Sequence, residues 1–132
     1  MLVHFPIALF VGALVFEILG LILKIEPFRK TALHIYTFAA LFSPLVVLSG
    51  LEEADDLNLR HPILSWHKNF ALWTMWFSLV SLPILWFIRK KISKSFSILF
   101  LTILVCVVVL VTLTAYNGGR LVYEYGVGSA QP

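Results

Sequence analysis

Four long apolar tracts separated by short charged segments set the frame of this chain: Phe5–Leu23, Ala32–Leu51, Phe70–Ile88 and Phe96–Ala115. Each is close to the roughly 20 residues that an α-helix, rising about 1.5 Å per residue, needs to cross about 30 Å of hydrocarbon. The pattern predicts membrane spans at about 5–23, 32–51, 67–88 and 96–116 in a single domain covering 1–132. The first connector, "KIEPFRK", is too short for anything but an antiparallel return, so the expected fold is all-α, a membrane four-helix bundle. Pro44 and Pro83 fall inside spans two and three, where each removes a helical hydrogen bond and favours a kink.

Helical spacing then separates faces within the spans. On span three, His67, Ala71, Thr74, Ser78 and Ser81 recur at alternating steps of four and three, a stripe of small or polar residues that should face protein. Span one carries His4, Ala8 and Gly12 on one face, and span two carries Ala40, Ser43 and Gly50. Small faces permit close helix packing or leave room for a flat cofactor.

Composition reinforces the membrane reading. Of 132 residues, 60% are hydrophobic and 13% charged, against about 25% charged in soluble domains. The charge is uneven: Lys24, Arg29, Lys30, Arg89, Lys90, Lys91 and Lys94 share one rim, whereas Glu52, Glu53, Asp55, Asp56 and Glu124 collect on the other with Arg60, Lys68 and Arg120. The positive-inside rule places the basic rim in the cytoplasm and both termini outside. The net charge of +3 comes from these connectors rather than from a basic stripe with interleaved aromatics, which removes nucleic acid as a partner. The first tract lacks a basic n-region and a small-residue cleavage site and reads as an uncleaved anchor. The single cysteine, Cys106, sits mid-span and reads as a buried apolar thiol.

The histidines are the first candidates for chemistry. His4, His61 and His67 lie toward the outer rim in this topology, and His34 at the cytoplasmic end of span two. His4 and His67 each head a small-residue face, as two axial ligands of a b-type haem would, with Arg60, Lys68 and Arg120 as rim cations for its propionates. The alternative for these histidines is hydrogen bonding to headgroups, water or a neighbouring helix. His61 with His67 and the acidic connector is a weaker metal set, since imidazole and carboxylate suit zinc or iron but the spacing matches no established ligand pattern. That acidic connector also reads as a solvated loop, or as a dock for a basic periplasmic cytochrome. Glu17, buried by position in span one, costs about 2.5 to 3.5 kcal/mol if charged and unpaired. It must be protonated, face a wet cavity, or pair with Arg29 or Lys30; a proton-coupled carrier built on it is a third functional reading.

Two motifs bracket the chain. The opening "VHFPIAL" (Val3 to Leu9) and the closing "GGRLVYEYGVG" (Gly118 to Gly128) resemble the signature ends of the domain-of-unknown-function 2231 family, small bacterial inner-membrane proteins of four predicted helices. "HKNFALW" at His67 is similar to that family's histidine at the head of span three. The resemblance covers the whole chain. It implies membrane electron transfer, because the domain occurs fused to cytochrome c-like or Rieske-like segments. The chain has Tyr125 where relatives often carry histidine, and Tyr116 and Asn117 before the glycine pair, so no ligand from span four is expected.

The expected function is a multi-pass protein of the bacterial inner membrane, with periplasmic termini, holding one haem b between His4 and His67. It would relay electrons between the quinone pool and a periplasmic cytochrome or larger respiratory complex, as an electron-transfer or accessory subunit rather than a self-contained enzyme. Association into an oligomer is left open. The rival is a structural or assembly subunit whose small faces pack against partner helices. Gly118 and Gly119 are expected to end span four and turn the tail back as a periplasmic lid, with Tyr123 and Tyr125 over the bundle mouth.

Overall fold

The computed structural model describes residues 4–56, 62–89 and 94–127. Among these are four helices and no strand: α1 (His4–Leu23), α2 (Glu26–Asp56), α3 (Pro62–Ile88) and α4 (Lys94–Tyr123). All four are long and apolar enough to cross a membrane. They pack in a ring in which α1 touches α2 and α4, and α3 touches the same two. Among the described residues the backbones of the diagonal pairs α1/α3 and α2/α4 do not approach closely, and the α2/α4 diagonal is crossed by side chains alone. Lys24, at φ 57°, makes the tight reversal between α1 and α2.

The core lies where aromatic and small residues from all four helices meet. Tyr36 is fully buried, with the rings of Phe10 and Phe100 set edge-on to it at 5.6 and 5.8 Å. Its hydroxyl shares a 2.6 Å hydrogen bond with Ser81, so a polar atom at mid-depth is satisfied by the α3 stripe. Thr74, Ser78 and Ser81 are buried, and the stripe faces inward as its spacing requires.

Both helices with internal proline are continuous. Pro44 cannot donate to the carbonyl of Ala40, four residues back; Ser43 does so instead, its hydroxyl donating at 2.8 Å. The freed acceptor is thereby satisfied within one turn.

Several boundaries differ from the expected ones: α3 starts at Pro62 rather than near 67, and α2 runs to Asp56 rather than 51. α2 starts at Glu26 rather than near 32, with Glu26 and Lys30 paired at 2.9 Å across one turn. α4 runs through Gly118 and Gly119 to Tyr123. Two contacts carry it past the glycines: Arg120 grips Glu124 one turn on, through Nε at 2.9 Å and Nη2 at 2.9 Å, and Leu121 is buried against Ile63 and Leu64 of α3. The cap comes at Gly126, φ 67°, whose N–H donates to the Val122 carbonyl. A lid turning back at Gly118 is therefore not the geometry of residues 118–123, and Tyr123, the last helical residue, is 90% exposed. Cys106 also departs from expectation: it lies on the exposed face of α4.

Candidate functional site

His67 is fixed by the backbone of α4. It stands on the inward stripe of α3, half-buried, and its Nδ1 lies 2.9 Å from the Thr114 carbonyl. A carbonyl only accepts, so Nδ1 carries the proton and Nε2 is left for another group. This is the arrangement by which a metal-binding histidine has its tautomer and ring plane set. The ring fits because residue 118 is glycine: a β-carbon there would lie 3.0 Å from Cε1 and 3.3 Å from Nδ1. The sequence stripe identified His67, but nothing in the sequence showed that Thr114 and Gly118 seat it.

His4 sits differently. At about 100° per residue, His4 and Ala8 fall opposite Pro6, Phe10, Ala13, Glu17 and Gly20, the buried side of α1. Both are exposed, and Gly12 has nothing within 4 Å of where a β-carbon would be. Depth separates the two histidines as well. Ser81 bonds Tyr36, and His67 precedes Ser81 by 14 residues, about 21 Å of helix. Phe5 meets α2 at Phe38 and Phe42, at most about 9 Å from Tyr36 along α2. The structure thus places His4 on an outward face, on a helix diagonal to α3, about 10 Å short of the level of His67. It does not bring the pair together around one group.

The remaining candidates are scattered. Arg60 and His61 lie outside the described residues. Lys68 is half-buried beside His67 in the chain. Arg120 is committed to Glu124, with its guanidinium 5.9 Å from the Tyr116 ring centre, so its charge is largely answered. Tyr123 points no part of its ring into the bundle, at 90% exposure. His34 is exposed, its Nδ1 held 2.6 Å from the Lys30 carbonyl. Among the described residues no three histidine, cysteine or acidic side chains group together.

A second buried polar centre lies toward the basic rim. Glu17 is fully buried, and Arg29 donates from Nε to its Oε1 at 3.2 Å and from Nη2 to Ser97 at 2.6 Å. Gly20 clears the path of the arginine, since a β-carbon there would lie 2.5 Å from Arg29 Cγ. The pairing with Arg29 is one of the options the sequence offered for a carboxyl at that depth. Ser97, far away in the chain, carried no signal. Glu17 Oε2 has no hydrogen-bond partner among the described residues.

A family model described as "Predicted membrane protein (DUF2231)" matches residues 1–131. No curated protein and no solved structure matches the chain.

Proposed function

We propose that this chain, which belongs to the DUF2231 family of predicted membrane proteins, is a membrane electron-transfer protein or subunit that holds a b-type haem through His67. The observation that carries this reading is the seating of His67, with Nδ1–H on the Thr114 carbonyl, the ring against Gly118 and Nε2 left over. The basic connectors favour a bacterial inner-membrane orientation with that end in the periplasm, where a quinol donor and a periplasmic cytochrome or larger respiratory complex are the expected partners. His67 would hold the haem iron; His4 of the same chain would not join it, because it faces away from the bundle at a different depth. A haem bound there supplies one-electron exchange, and the chain's own part is to fix the imidazole and exclude water with the helices around it. Lys68 is next to His67 in sequence, and Arg120 is held by Glu124.

The test is a pyridine haemochrome spectrum of gently purified protein and two variants. A stoichiometric b-type signal that persists in His4→Ala and is lost in His67→Ala supports the reading. An unchanged signal in His67→Ala removes it.

The second reading, a structural or assembly subunit, draws on the outward face of α1. Ala8 and Gly12 sit one turn apart there, half-buried or exposed, and small residues at that spacing let another helix approach closely. That reading expects colourless protein that co-purifies with larger membrane subunits.

A further inference from the structure

At the basic rim, α2 and α3 meet around Trp86. Its indole N–H donates to Thr37 Oγ1 at 3.0 Å, and Thr37 in turn donates to the Leu33 carbonyl at 2.7 Å, so the ring is tied to α2 and cannot turn. The Arg89 guanidinium lies over that ring, 3.5 Å from its centre. His34 approaches the same ring edge-on, with centroids 6.1 Å apart. An arginine on an aromatic face keeps its N–H donors around its own edge, and among the described residues no carboxylate is within ion-pair distance of Arg89. His34 has spent Nδ1 on the Lys30 carbonyl, so Nε2 is its remaining polar atom. Lys30 is neutralised locally by Glu26.

Outward from this corner the surface is apolar. Leu41, Leu45 and Leu48 stand seven, eleven and fourteen residues beyond His34, on the same face of α2, and are 61%, 61% and 58% exposed. Phe87, next to Trp86, is 84% exposed. A cation stacked on a fixed ring at the end of an apolar stripe matches a molecule with an anionic head and an acyl chain.

We propose that the Trp86–Arg89–His34 corner binds the phosphate of an anionic phospholipid, whose chain lies along Leu41, Leu45 and Leu48. The choice of occupant rests on charge: the connector that begins at Arg89 holds Lys90, Lys91 and Lys94 and no acid, so the rim favours an anionic headgroup over a zwitterionic one of zero net charge. Basic pockets between transmembrane helices are suited to such headgroups. This site is separate from His67 and stands whether or not a haem is bound.

The experiment titrates detergent-solubilised full-length protein with phosphatidylglycerol, phosphatidylcholine or inorganic phosphate and follows thermal unfolding. Phosphatidylglycerol alone should raise the melting temperature and saturate. Arg89→Gln should require about fivefold more lipid for half the effect, and His34→Gln should also weaken it. Lys24→Gln, which removes the same charge from the α1–α2 reversal, should leave the titration unchanged. Arg89 and Lys24 are both exposed, so neither variant threatens folding. Equal shifts with phosphatidylcholine or with phosphate overturn the proposal, as does an equal loss in Lys24→Gln and Arg89→Gln, which would mean diffuse rim charge.

Discussion

Neighbouring glycines on α4 have opposite surroundings, and substitution separates them. Gly118 is pressed against His67, whereas Gly119 has nothing within 4 Å of a β-carbon position. Alanine in place of helical glycine stabilises by about 1 kcal/mol when space allows. Gly119→Ala should therefore raise unfolding stability by about that amount, and Gly118→Ala should fail to, because the imidazole held on the Thr114 carbonyl must give way by a few tenths of an ångström. Unfolding in detergent measures both; equal gains would mean that His67 is not seated as described. His67 itself was legible in the sequence from its place at the head of the α3 stripe. Gly118 was misread as a helix end because glycine's local preference says turn, while the reason for it here is a contact 51 residues back along the chain. Glu17 was legible in another way: a carboxyl at that depth requires a partner, and Arg29 was within reach. Truncating Arg29 to alanine leaves Glu17 buried without its partner, a loss of about 3 to 5 kcal/mol, whereas truncating Glu17 leaves Arg29 its bond to Ser97 and should cost less. The double variant should lose less than the sum of the two singles, read as the coupling in a double-mutant cycle.

At the level of elements, the four spans followed directly from the lengths of the apolar tracts, and their extents followed less well. α2, α3 and α4 all outrun the apolar windows, because helix needs intrachain hydrogen bonds rather than apolar residues, and polar ends such as Glu26–Lys30 and Arg120–Glu124 supply their own side-chain pairs. Pro44 shows the same local logic. Ser43→Ala removes the donor to the Ala40 carbonyl and should cost about 1 kcal/mol. Adding Pro44→Ala should restore that loss, since residue 44 regains an N–H four residues beyond Ala40. Thermal unfolding of the single and double variants decides it: a double variant no more stable than Ser43→Ala would show that Ser43 does not serve the proline.

Over the whole molecule, what the sequence could not convey was rotation. A soluble helix announces its inner face by hydrophobicity, but lipid and core are equally apolar, so only small and polar residues mark the inside of a membrane bundle. That marking is ambiguous. The His67 stripe of α3 faces inward, with Thr74, Ser78 and Ser81 buried, while the similar stripe of His4, Ala8 and Gly12 on α1 faces outward. The difference arises on the far side of α1, where Phe10 must fill the space at Tyr36 and Glu17 must reach Arg29; those two demands fix the rotation and carry His4 to the surface. The bis-histidine pair was built on two faces that look alike in sequence and point in different directions in the fold. The claim that remains is that His67, and not His4 of the same chain, holds the haem. The most direct measurement is the pyridine haemochrome spectrum of the wild-type protein beside His67→Ala and His4→Ala, purified in parallel. The account predicts one b-type haem per chain in the wild type and in His4→Ala, and none in His67→Ala. A full signal in His67→Ala, or no haem in any of the three, would contradict it.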